Sequence, residues 1–178
     1  SVITCLHHEQ DMRKMGGVRE KAPQTFVLMW IGTLALSGIG VPFILGNGLG
    51  FAGFYSKDIM LESAFGTHSL VGFIAFWMGT VAAFLTAFYS TRLMFMTFYG
   101  KYRGDHHTWE HAHESPSVML VPLYVLGAGA ALSGLVAYGW FVGHDWMNFW
   151  GQSIAVKATE EVLHHAHEVP VWVKLMPL

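Results

Sequence analysis

The chain has 178 residues, of which 53% are hydrophobic and only 12% charged, and its net charge is -2 with histidine neutral. Soluble domains carry about 25% charged residues, so the composition points to a membrane protein, and the lack of a basic excess argues against nucleic acid as a partner. The single cysteine, Cys5, excludes an intrachain disulfide and a cysteine metal cluster.

SVITCL reads as the last turns of an apolar helix, and VPVWVKLMPL at 169–178 as the first turns of another. Both ends are therefore expected to be cut inside membrane segments. Residues 7–22 form a polar loop with four cations, Arg13, Lys14, Arg19 and Lys21, and Gly16-Gly17 interrupts any helix there. Region 1–22 is expected to be a helix end followed by a loop on the cytoplasmic or matrix side.

Region 23–66 organises the chain. Pro23 suits a helix start, and no Asp, Glu, Lys or Arg occurs between Lys21 and Lys57. Thr25–Leu45 has the roughly 20 apolar residues that cross a bilayer, which would leave Lys57 at the far surface. Alternatively the helix breaks near Gly38-Ile39-Gly40-Val41-Pro42, and a second piece completes the crossing. Broken helices at membrane depth occur where they are buried in protein or line a cavity. Ser56 is a candidate N-cap for that piece, with Lys57 in its first turn. A helix N-terminus and burial both disfavour a charged lysine there, while Asp58 favours it. Glu62 follows Asp58 by four residues, on the same helix face. Three readings stay open: a proton relay of Lys57, Asp58 and Glu62, a static Lys57-Asp58 pair, and a surface loop.

Regions 67–100 and 116–143 are the next expected crossings. Gly79, Ala83 and Ala87 make a stripe of small residues suited to close helix packing, and glycines 127, 129, 134 and 139 do the same in the second. Between them lies a histidine-rich stretch, 101–115, whose irregular spacing and lack of cysteine predict a hydrated loop with no structural metal. Region 144–169 mixes aromatic and charged residues. Trp146, Phe149 and Trp150 read as interface anchors, and Ile154–Leu163 can form an amphipathic helix on the membrane surface. Region 170–178 opens a further helix. If 23–66 crosses once and 67–100 crosses back, the loops 7–22 and 101–115 share a side and hold six cations, Arg13, Lys14, Arg19, Lys21, Lys101 and Arg103. Segment 144–169 opposite holds only Lys157, which is the asymmetry that positive charge on the inner face requires.

At FAGFYSKD, preceded by GTLALSGIG, and with HHEQDMRKMGG upstream and FYSTRLMFMTFYGK downstream, the chain resembles the antiporter-like membrane subunits of respiratory complex I, the proton-pumping NADH:quinone oxidoreductase. The likeness is strongest to the C-terminal part of the distal, largest one. Multisubunit sodium/proton antiporters are relatives. The resemblance implies an all-α polytopic membrane protein with a discontinuous transmembrane helix carrying Lys57. It implies proton translocation coupled to electron transfer elsewhere, with Lys57 handing protons toward the periplasm or intermembrane space and Asp58 beside it. It further implies no cofactor in this chain, with NADH, FMN, iron-sulfur clusters and quinone held by partner subunits. The partners would be other membrane-arm subunits and the lipid bilayer of a bacterial or mitochondrial inner membrane. The family's usual break is shorter, and VPFILGNGLG lengthens it here.

Overall fold

The computed structural model describes residues 1–41, 49–141, 143, 146–151, 153 and 169–175. Along the chain run the helices α1 (Val2–Cys5), α2 (Pro23–Ser37), α3 (Ala52–Gly66), α4 (Leu70–Phe98), α5 (His106–Glu110), α6 (Ser117–Phe141), α7 (Trp146–Trp150) and α8 (Val171–Leu175). The strand pairing among the described residues is two residues deep, β1 (Gly40–Val41) against β2 (Leu49–Gly50), and lies inside the break. The fold is all-α.

Helices α4 and α6, of 29 and 25 residues, are long and apolar enough to cross a membrane. Only 17% and 11% of their most apolar windows are buried within the chain. A core helix of a soluble protein buries such a surface, whereas Phe84, Leu85, Val125 and Leu126 remain exposed. Helices α2 and α3 have 15 residues each. At 1.5 Å per residue each reaches about 22 Å, short of the roughly 30 Å of a hydrocarbon core. A continuous helix over 24–45 is therefore not what forms: α2 ends at Ser37, where Gly38 takes φ 75. That left-handed turn is open to glycine at little steric cost and ends a helix.

The chain divides into two compact units, Ser1–Leu34 with Ala87–Gly129, and Ala35–Thr86 with Ala130–Leu178. The core of the first is Cys5, Leu6, Met15, Val18, Ala22, Met94, Phe98 and Ala112. Here the two basic loops pack on each other. The Arg103 guanidinium donates to the carbonyls of Arg13 (2.9 Å), Met12 (3.4 Å) and Met96 (2.7 Å), tying the first loop to the end of α4. Gly17 N–H donates to Tyr99 O at 3.3 Å. Arg19 lies over the Tyr99 ring and Lys21 over Trp109, contacts worth about 0.5–1 kcal/mol at exposed sites. In the first loop, hydrogen bonds from the Arg13 side chain and backbone hold the Asp11 carboxyl below its usual value.

Pro23 has no N–H to satisfy at the start of α2. The next donors are met from 90 residues away: Glu114 accepts from Gln24 N (2.9 Å), Thr25 N (3.4 Å) and Thr25 Oγ1 (2.6 Å). A carboxylate at a helix N-terminus satisfies orphan donors and complements the dipole. Glu114→Ala is expected to cost about 0.5–2 kcal/mol, the usual value of a lost cap. Glu114→Gln, which keeps an acceptor, is expected to cost less. Thermal denaturation of the assembled protein reads the difference.

In the second unit, Leu61, Phe76, Val169 and Val173 form a small core with Ala64 and Phe65 around it. Gly79 of the small-residue stripe sits against Leu61, where an added Cβ would collide with the Leu61 side chain. Helix α7 folds back onto the end of α6, with the Trp150 indole donating to Phe141 O at 3.1 Å. The amphipathic segment expected at 154–163 lies outside the described residues, as does most of 144–169. The histidine stretch is not a plain loop, since α5 makes one turn within it and His106 pairs with Glu110 at 3.2 Å.

Candidate functional site at the helix break

Two apolar helices end and begin within the second unit, and glycines decide how closely they meet. A Cβ at Gly53 would run into the Ala35 carbonyl, and one at Gly38 would lie 3.3 Å from Gly53 O and 3.4 Å from Lys57 Nζ. Gly134 of α6 leaves room for the Tyr55 ring, and a Cβ added there would run into that ring and lie 3.1 Å from Ala52 Cα. Tyr55 packs between Phe54 and Tyr138, with ring centroids 5.2 Å from each. Phe51 N–H donates to Ile39 O at 3.3 Å across the break. These contacts set the first turn of α3 beside the last turn of α2.

Lys57 joins the two pieces. Its ammonium donates to Ser37 O at 2.8 Å and Leu36 O at 3.3 Å, the terminal carbonyls of α2. Those carbonyls have no partner within their own helix, and the C-terminus of a helix carries about half a negative charge. The cation therefore sits at a helix end that favours it. This corrects the sequence reading in three respects. Helix α3 starts at Ala52 with Phe51 before it, so Ser56 is not its N-cap and its hydroxyl instead reaches Gly53 O at 3.5 Å. Lys57 is the sixth residue of α3 rather than in its first turn, so the dipole that acts on it most directly is that of α2. Nor is Lys57 in a surface loop: it is a half-buried helical residue.

Asp58 and Glu62 are also half-buried, one turn apart on α3, and near enough for their charges to interact. Among the described residues the ion pairs are Arg13–Asp11, Lys14–Glu9 and His106–Glu110. The direct partners of the Lys57 ammonium are thus carbonyls rather than the Asp58 carboxylate. Two further residues join the set. Lys174 of α8 and Tyr138 of α6 both lie within electrostatic range of Glu62. The packing of Val173 on Leu61 and of Trp172 on Phe65, at 5.4 Å between centroids, brings α8 to α3. Polar groups thus follow one another from the end of α2 to α8: Lys57, Asp58, Glu62 and Lys174. Sequence reasoning missed Lys174 and Tyr138 because they stand more than 70 residues from Glu62, and their own surroundings are apolar. The one available signal was a lone cation inside VPVWVKLMPL.

Residues 1–86 match the family described as NADH:quinone oxidoreductase/Mrp antiporter, TM. Among curated proteins, NADH-quinone oxidoreductase subunit L of Rhodobacter capsulatus is 54% identical over 151 residues, 84% of this chain and 21% of that protein. NADH-ubiquinone oxidoreductase chain 5 of Phytophthora infestans is 39% identical over 178 residues, all of this chain and 25% of that protein. Its counterpart in Marchantia polymorpha is 37% identical over 179 residues, with the same coverage. The chain spans between a fifth and a quarter of the length of these relatives. The long apolar helices and these matches agree, and the chain belongs to the family of antiporter-like membrane subunits found in NADH:quinone oxidoreductases and Mrp antiporters.

Proposed function

We propose that this chain translocates protons across an energy-transducing membrane, as a segment from the C-terminal part of an antiporter-like subunit of NADH:quinone oxidoreductase. Electron transfer, with NADH, FMN, iron-sulfur clusters and quinone, takes place in other subunits. The observation that carries the reading is the Lys57 ammonium bridging the break, with Asp58 and Glu62 following on the same helix. A charged lysine satisfies the carbonyls of Leu36 and Ser37, and a neutral one binds them less well. Such a partly buried cation at a helix C-terminus is worth up to about 2 kcal/mol. A unit charge brought to about 4 Å at an effective dielectric of 20 is worth about 4 kcal/mol. Charge arriving near the break therefore outweighs the carbonyl contacts and drives the proton from Lys57 toward Asp58 and Glu62. Lys174 stands at the far end as a positive countercharge to Glu62.

In this reading 23–66 is one broken crossing, and 67–100 and 116–143 are full ones. The loops 7–22 and 101–115, tied together by Arg103, lie on the cytoplasmic or matrix side. The exposed apolar faces of α4 and α6 meet lipid and neighbouring membrane-arm subunits. Cysteines introduced at Arg13 and Lys101 should both react with an impermeant reagent from the cytoplasmic side, and reaction of either from the opposite side contradicts the arrangement.

The family description also covers Mrp antiporters, which favours cation exchange as the second reading. Proton movement that requires sodium, and stops when sodium is removed, would select it. Lys174→Met provides a further check on the path. It is expected to slow proton movement several-fold, and Lys174→Arg is expected to keep more of it if the residue serves as a fixed countercharge to Glu62. Equal loss in both variants would make Lys174 a proton carrier instead.

A further inference from the structure

We propose that His7, His107, His111 and His113 form a proton-collecting surface on the face made by the two basic loops. Four imidazoles from stretches about a hundred residues apart meet there. The His7 ring stands 6.4 Å from His111 and 6.4 Å from His113, centroid to centroid, and His107 lies 4.5 Å from His111. All four side chains are exposed to solvent. The backbone at His7 and His8 takes φ 50 and 71, left-handed values that cost free energy in a residue with a Cβ. Two such residues in succession turn the chain from α1 into the loop, and the His7 ring meets the other two beyond that turn.

The hydrogen bonds decide which atoms exchange protons. His111 Nδ1 lies 3.0 Å from His107 O, and His113 Nδ1 lies 2.9 Å from His111 O. A carbonyl oxygen only accepts, so each Nδ1 carries its hydrogen. The Nε2 of each ring is then the basic atom, taking a proton from water and returning it. Most cations of the two loops are already engaged: Arg13 with Asp11, Lys14 with Glu9, Arg19 and Lys21 over aromatic rings, and Arg103 with carbonyls. Of the carboxylates on this face, Glu110 pairs with His106 and Glu114 caps α2. What remains on this face is imidazole, a side chain suited to shuttling protons. No group of three ligands among the described residues has the geometry to hold a metal, and rings 6.4 Å apart suit separate protons rather than one shared ion.

This inference rests on the proton-translocation reading and on the loops facing the side of proton uptake. The test uses the intact oxidoreductase in vesicles, with His7→Gln, His107→Gln, His111→Gln and His113→Gln combined. The initial rate of NADH-driven proton movement is followed in weak buffer and in strong imidazole buffer. The rate in weak buffer is expected to fall several-fold below wild type, and imidazole is expected to restore it, since a mobile buffer replaces the lost groups. A variant equal to wild type in weak buffer overturns the proposal. So does a loss that imidazole leaves in place, which is the mark of a structural role. Failure of the underlying reading looks different: Lys57→Met then matches wild type in both buffers.

Discussion

Replacing Lys57 with Met is expected to abolish most proton flux through this segment while leaving the protein assembled. Methionine keeps the length and apolar stem of the side chain but removes the ammonium. The carbonyls of Leu36 and Ser37 then lose their donor, at about 0.5–1.5 kcal/mol for an ordinary hydrogen bond and about 1.5–3 kcal/mol for a charged one. The packing of Tyr55, Leu61 and Phe65 around α3 is untouched, so the helices should stay in place. A positioned proton-transfer group contributes about 10²–10⁴-fold to its step, so flux through this subunit should fall by at least two orders of magnitude. The amount of assembled complex on a native gel, set beside dye-monitored proton movement, separates the two effects. Normal pumping in an assembled Lys57→Met protein would remove the lysine from the mechanism.

The second large effect is steric. Gly53→Ala puts a methyl group into the Ala35 carbonyl. That oxygen belongs to backbone and cannot swing aside as the tip of a long side chain can. Overpacking of this kind costs about 1–3 kcal/mol, and its relief requires the end of α2 to move away from the first turn of α3. Lys57 would then be drawn off Ser37 O, so both thermal stability and proton movement should drop. Gly32→Ala is the matched control. Nothing lies within 4 Å of the added Cβ there, and alanine is favoured over glycine within a helix by about 0.5–1 kcal/mol. Equal behaviour of the two variants would mean that close approach at the break is unimportant.

What the sequence carried, and what it did not, divides by range. The regions 67–100 and 116–143 read as long helices because apolar continuity is a local property of the chain, and α4 and α6 lie within them. The break at Gly38 was legible as one of two options because glycine at a left-handed position is a local requirement. Ser56 misled for the same reason. It has the right side chain for a cap, but Ala52–Tyr55 can pack against Gly134 as helix, and that tertiary contact extends α3 back past it. The bond from Lys57 to Ser37 O spans 20 residues, and no pattern of spacing encodes it. Lys174, Tyr138, the Glu114 cap and the Arg103 clasp are of the same kind. Each is an ordinary residue in its own stretch, and acquires its role only from what folding sets beside it.

Lys57→Arg tests the central claim most directly, with the proton-to-electron ratio of the reconstituted complex as the readout. Arginine keeps the positive charge and can still donate to the carbonyls of Leu36 and Ser37, but it does not release its proton at accessible pH. If Lys57 transfers protons, the ratio falls below wild type even though the charge at the break is preserved. If the ratio stays at the wild-type value, deprotonation at this position is not required, and Lys57 is a fixed charge holding the two halves of the helix together.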